Sequence, residues 1–157
     1  TVEVAPEAMD GQGTTRAVLW AGALLQAPHP ALASQRRIAA EGVYVSRHWY
    51  GSPSTRYGLD ATSRIVAVDG RSVQDLDEFL EAVAGRRDRE AVRLRILDLD
   101  GRPDVITLKV DLEYWPTYEL RKSHGVWERT AILEQDDESR LAGRSGRVVR
   151  GESSGGD

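Results

Sequence analysis

Residues 50 to 70 read YGSPSTRYGLDATSRIVAVDG, and the fold turns on how this stretch is read. Ser52 is suited to cap a helix start, and Pro53 suits the first helical position, where its missing N–H would have no partner anyway. Gly58 fits the left-handed residue that closes a helix, so Ser52 to Gly58 is expected to make one or two helical turns. Ile65-Val66-Ala67-Val68 is a short β-branched run that stops at Asp69-Gly70, a strong turn signal. The unit is therefore mini-helix, strand, tight turn.

The same punctuation runs outward in both directions. Ala17 to Gln26 (AVLWAGALLQ) is a nearly continuous apolar run broken at Gly22, expected as a buried strand or a loop entering one. Ala27-Pro28-His29-Pro30 interrupts it, because two prolines cannot serve a central ladder. Ala31 to Ala40 suits a short helix, and Gly42 to Arg47 (GVYVSR) a strand. Gln74 to Arg87 carries the clearest helical signal: Asp75 as N-cap with Glu78 three residues on, Leu76, Phe79, Leu80 and Val83 at helical spacing, and Gly85 to end it. Val92 to Leu97 (VRLRIL) alternates as a half-buried strand, Asp98 to Pro103 (DLDGRP) makes a hairpin loop, and Val105 to Val110 (VITLKV) returns. From Leu133 onward acid, Arg, Gly and Ser replace any periodicity, which predicts a disordered tail.

Composition sets the limits. The 157 residues suit one domain with extensions, and at 40% hydrophobic with a single Phe and a single Met the core must be mainly Val, Leu, Ile and Ala. A net charge of −4 is not the basic footprint of a nucleic-acid binder. The absence of cysteine excludes disulfides and thiolate chemistry. No apolar stretch approaches the ~20 residues that span a bilayer, so no membrane insertion is expected. The chain begins at Thr1 without a signal-like segment and is read as a fragment of something longer.

In order, these elements describe a mainly β, α+β domain: a partly open barrel of five or six strands with two helices. GVYVSRHWYGSPSTRYGL, IVAVDGRSV, LDEFLEAVAG and VRLRILDLDGRPDVITLKV, taken in sequence, resemble a PDZ domain of the HtrA/Deg-type serine proteases. The family pattern is Gly-Val-x-Val, Gly-Ser-Pro-Ala, Ala-Gly-Leu, a strand ending in Asn-Gly or Asp-Gly, a helix and a closing hairpin. One departure narrows the resemblance. Thr62-Ser63-Arg64 stands where HtrA domains usually carry Gly-Asp; with WAGALLQAPHPAL and EYWPTYELR it looks like the later PDZ domains of the large multi-PDZ Deg-like proteases, whose eukaryotic members include fungal nuclear proteases. The resemblance implies residues 1–16 as the end of a preceding domain and linker, 17–112 as the PDZ domain, 113–132 as a C-terminal aromatic arm packing on it, and 133–157 as the tail. It also implies that the protease domain lies outside this chain, with a bacterial cell-envelope location, or a nuclear one if the protein is eukaryotic.

A PDZ domain binds a peptide C-terminus by adding it as a strand to an exposed sheet edge. By resemblance, Trp20-Ala21-Gly22-Ala23 occupies the carboxylate-loop position, with Gly22 letting the backbone approach the carboxylate. Ala23, Leu24, Leu25 and Gln26 would be the pairing edge, and Leu76, Leu80 and Val83 the facing helix wall. An apolar stripe on a capped helix is also what plain core looks like. The implied partners are C-terminal or extended peptide segments and neighbouring PDZ or protease domains. A degenerate domain serving as a structural or oligomerisation scaffold is the alternative.

Other signals carry less. Glu152-Ser153-Ser154-Gly155-Gly156-Asp157 echoes the segment around a trypsin-like nucleophile, but a nucleophile needs a positioned base and a rigid oxyanion hole, and this copy ends the chain. His29, His48 and His124 lack paired spacing, so neither metal site nor cofactor is expected. Asp98 and Asp100 begin a calcium-loop pattern that does not continue. Tyr114-Trp115-Pro116-Thr117-Tyr118 is the dense aromatic cluster, read as an arm packing back on the barrel or as a docking surface for a neighbouring domain.

Overall fold

Ala17 to Gln26 folds back on itself. The computed structural model describes residues 13–28 and 42–133, and in it this apolar run is a hairpin of two strands, β1 (Arg16–Trp20) and β2 (Ala23–Gln26). Val18 pairs with Leu25, Leu19 with Leu24 and Trp20 with Ala23, leaving Ala21 and Gly22 as a two-residue turn. Both turn residues have positive φ, 49° and 74°, the geometry whose twist matches the flanking strands. The expectation of one strand or an entering loop is thus corrected: Gly22 is the pivot of a hairpin.

The 50–70 stretch behaves as its residues dictate. Helix α1 (Pro53–Arg56) starts at Ser52, whose side chain accepts from the Thr55 N–H, and Gly58 follows with φ 80°. Strand β3 (Val43–His48) precedes it, and β4 (Arg64–Val68) follows. Asp69 and Gly70 turn β4 into the two-residue strand β5 (Arg71–Ser72). Helix α2 (Leu76–Val83) is shorter than the expected Gln74 to Arg87. The Asp75 carboxylate accepts from the Glu78 N–H at 2.8 Å, while the Glu78 carboxylate reaches back to the Gln74 N–H at 2.8 Å, a capping box displaced by one residue. Beyond the helix, Arg86 pairs with Asp69 and Glu90.

Strands β6 (Ala91–Leu97) and β7 (Pro103–Lys109) form the predicted hairpin. Val92, Leu94 and Ile96 turn inward and Arg93 and Arg95 outward. Residues expected as an arm form a further hairpin, β8 (Thr117–Ser123) and β9 (Val126–Leu133), joined at His124-Gly125. Among the described residues the nine strands make one open sheet in the order β7-β6-β4-β3-β2-β1-β8-β9, with β5 beside β4. The open, mainly β fold with two helices is as expected, but five or six strands become nine because one predicted strand splits, the Asp69-Gly70 turn adds the short β5 and the arm adds two.

The core is Val-, Leu- and Ile-rich, with Trp20 and Phe79 as its two large aromatics, both fully buried. The helix expected at Ala31 to Ala40 and the tail beyond Leu133 lie outside the described residues, apart from Leu133 itself, which ends β9.

Candidate functional site

The β1–β2 turn is tied down by α1. Ser54 donates its backbone N–H to the Ala21 carbonyl at 2.9 Å and its hydroxyl to the Gly22 carbonyl at 2.9 Å. Trp49 donates its N–H to the same Gly22 carbonyl at 2.9 Å. Ser52 and Ser54 are fully buried, and their hydroxyls bond each other at 2.7 Å. The Gly-Ser-Pro-Ser start of the mini-helix therefore clamps the turn that follows β1. A Cβ on Gly22 would stand 2.1 Å from Ser52 Cβ and 3.0 Å from Trp115 Cε3, so no side chain fits there.

The expected pairing edge is not open in this structure. β2 has β1 on one side and β3 on the other, with Ala23 opposite His48 and Gln26 opposite Tyr44. The slot beside β2 that an added strand would need is held by β1. That strand is latched in turn. Its other edge pairs with β8, Leu19 facing Tyr118 and Arg16 facing Arg121. Trp20 meets Phe79 of α2 edge-on, and Arg16 makes a forked pair with Asp77 of α2 at 2.6 and 3.0 Å. Arg16 also reaches Glu119 of β8 at 2.7 Å, and Arg121 joins the same carboxylate at 2.9 Å.

These ion pairs leave a protonation signature. The hydrogen bond from Arg16 lowers the Asp77 pKa below its ordinary value. Burial pushes Glu119 upward, but hydrogen bonds from Arg121 and Arg16 outweigh it, and its pKa is lowered too. Arg16 is held more firmly in its charged form, chiefly by its hydrogen bond to Asp77, with burial opposing.

The residues assigned to the groove by resemblance divide accordingly. Trp20, Ala21, Ala23 and Leu25 are buried in the core, as are Leu76 and Val83 of the helix. Leu80 is half-buried and packs against that core. Gly22 is buried in the turn, and Leu24 and Gln26 are half-buried on the opposite face of β2. The helix stripe is thus largely core wall.

A different concavity is present, on residues not singled out for a groove. Leu19 and Gly22 of the hairpin, Trp49 beyond β3, Tyr114, Trp115 and Pro116 on the approach to β8, and Tyr118 within it surround a cleft of about 160 Å³. Leu19 points here because its neighbours Val18 and Trp20 take the core face. Trp115 and Tyr118 are half-buried, so the aromatic segment lines a cleft while β8 completes the sheet. The aromatic density of 114–118 was the available signal; nothing in the sequence marked Leu19 as outward. Among the described residues no group of three His, Asp or Glu is placed to hold a metal. His48 is a packing residue whose Nδ1 accepts from the Ala61 N–H at 3.0 Å.

The sheet order, the capped mini-helix and helix α2 together define a PDZ-like fold, and the PDZ-like domain family matches residues 13–89. The chain carries a PDZ-like domain, with its relatives among the Deg/HtrA-type proteases. Protease Do-like 7 of Arabidopsis thaliana is 43% identical over 133 residues, covering 82% of this chain and 12% of the relative. Pro-apoptotic serine protease NMA111 of Chaetomium globosum is 38% identical over 149 residues, covering 95% of this chain and 14% of that protein. The chain thus spans about an eighth of the curated relatives it matches. Among solved structures, the HtrA3 PDZ domain bound to a phage-derived ligand (FGRWV) aligns with a TM-score of 0.50 at 22% identity, covering 61% of this chain and 89% of that one. The HtrA-type protease AlgW with a decapeptide aligns with a TM-score of 0.51 at 23% identity, over 60% of this chain and 29% of that one. These two establish likeness of fold.

Proposed function

We propose that this chain is a non-catalytic, peptide-binding module of an HtrA/Deg-type serine protease, serving substrate recruitment or regulation from outside the protease domain. The observation that carries this is the PDZ-like fold in a chain matching about an eighth of much longer protease relatives. Peptide partners are supported by fold neighbours that were solved with peptides. Neighbouring PDZ or protease domains are further partners on this reading, and a nuclear location accompanies the likeness to fungal members. No helix among the described residues is long and apolar enough to cross a membrane.

The filled slot beside β2 shapes the mode of binding. A peptide using Trp20 to Gln26 with Leu76, Leu80 and Val83 requires β1 to leave its place. Binding with β1 in place must use other surfaces. The same observation favours a second reading, in which the domain is a structural or oligomerisation scaffold. Fluorescence polarisation against a peptide library, each member as free acid and as amide, tests both. Binding that survives amidation is expected, because β1 holds the β2 edge. Strict dependence on the free acid would place the peptide at Ala21 and Gly22 with β1 displaced. No binding by any peptide, with a stable multimer in light scattering, would replace recruitment with scaffolding.

A further inference from the structure

The outer face of the sheet carries an apolar row with Arg47 at one end and, at the other, Arg129 of β9 lying over the ring of Tyr118. The register places Arg47 of β3 opposite Leu24 of β2, Leu24 opposite Leu19 of β1, Leu19 opposite Tyr118 of β8, and Tyr118 opposite Ala131 of β9. Leu24, Leu19 and Tyr118 are half-buried, on the face away from Val18, Trp20 and α2. The aromatic cleft opens beside this row at Leu19. At one end the Arg47 guanidinium stacks 5.5 Å from the centre of Trp49, and at the other Arg129 stacks 4.5 Å from the centre of Tyr118. Trp49 and Tyr118 both line the cleft. Both arginines are exposed, and among the described residues no carboxylate pairs with either.

We propose that this face is a docking site for an internal, extended peptide segment bearing one apolar anchor with acidic residues on both sides. Size selects the anchor. An apolar cavity of about 150 Å³ admits a benzene-sized group, so a cleft of about 160 Å³ takes one Phe or branched aliphatic side chain. Charge selects the flanks. β3 and β9 are four strand spacings apart, roughly 19 Å between their axes, so the two arginines come to the cleft from opposite sides. An extended segment of about six or seven residues covers that distance at ~3.3 Å per residue. Carboxylates at its two ends then meet the two guanidinium groups, while the central side chain enters the cleft. Because the site lies on the face opposite the β1–α2 contact, the peptide binds with β1 in place. The inference deepens the peptide-binding reading by naming a face and a ligand.

The test uses the full chain and a fluorescein-labelled, C-terminally amidated peptide, Glu-Glu-Gly-Phe-Gly-Glu-Glu, followed by fluorescence polarisation. Saturable binding is expected, weakened about tenfold or more by Arg47→Glu, by Arg129→Glu, and by Ala in place of the peptide's Phe. A peptide with Lys for every Glu should not bind, and added salt should weaken the Glu peptide as steered ion pairs require. Circular dichroism melts check that the exposed arginine variants fold, and the peptide-side changes test the same claim without altering the protein. No binding to the folded chain, equal binding of the Lys peptide, or indifference to both arginine reversals would overturn the proposal. So would self-association abolished by Arg129→Glu, which would give the cleft to a second copy. Library peptides that bind while this probe does not would sink the cleft assignment and leave the peptide-binding reading standing.

Discussion

Trp20 of β1 stands edge-on to Phe79 of α2, ring centroids 5.3 Å apart and planes at 89°, and both rings are fully buried. This contact fastens the strand that fills the slot beside β2 to the helix that would have been the slot's other wall. Edge-to-face aromatic pairs contribute about 0.5–1.5 kcal/mol beyond the area they bury. Trp20→Ala should therefore destabilise the fold by about 3–5 kcal/mol in urea unfolding. Trp20→Phe should do far less harm, since the buried indole N–H has no hydrogen-bond partner to lose. Similar losses for both variants would mean that ring size and not the contact is what matters.

Gly22 offers a second test, because the structure gives it a packing role in the turn besides the carboxylate approach that the resemblance implied. A residue that merely lets a ligand carboxylate approach would tolerate Val without loss of stability. Here the added Cβ would meet Ser52 at 2.1 Å, in a backbone at φ 74°. Left-handed strain of about 1–3 kcal/mol and overpacking of about 1–3 kcal/mol should combine. Gly22→Val is expected to lower the unfolding midpoint sharply, as read by denaturant titration. An unchanged midpoint would show that the turn is not clamped against α1.

Most of the fold was legible because short-range chemistry specified it. Ser52-Pro53, Asp75 with Glu78, Asp69-Gly70 and the alternation of 92–97 each act within a few residues, and each element formed at those signals, α2 over a shorter span than its residues suggested. What escaped was long-range. Whether Ala17 to Gln26 is one strand or two turns on Ala21-Gly22, and a positive φ at alanine has no sequence signature. The pairing of β1 with β8 joins residues about a hundred positions apart, and Arg16 carries no local mark of its partners Asp77 and Glu119. The helix stripe was legible as an apolar face, but a stripe fits core and ligand equally, and only the tertiary placement of β1 shows what packs against it.

Arg16 gives the fold a pH dependence whose sign is fixed. Asp77 and Glu119 both have pKa values lowered by their arginine partners. A carboxylate with a depressed folded pKa contributes stability above its unfolded value, about 3.9 to 4.3, and loses it as pH falls through the folded value. Thermal melts should show stability falling below about pH 4. Arg16→Ala should destabilise by roughly 1–3 kcal/mol at pH 7, toward the lower end because the Asp77 side chain is 68% exposed. The gap between variant and parent should close on acidification. A gap that stays constant from pH 7 to pH 3 would assign Arg16 to packing alone.

The central claim is that β1 permanently occupies the slot beside β2, and amide hydrogen exchange by mass spectrometry tests it most directly. Amides in Arg16–Trp20 and Ala23–Gln26 should exchange as slowly as those in Ala91–Leu97, through opening of the whole fold. Adding a saturating hydrophobic free-acid peptide should leave both segments unchanged. Exchange in β1 orders of magnitude faster than in β6, with new protection of Ala23–Gln26 when the peptide is added, would contradict the claim and show a strand that yields its place to a ligand.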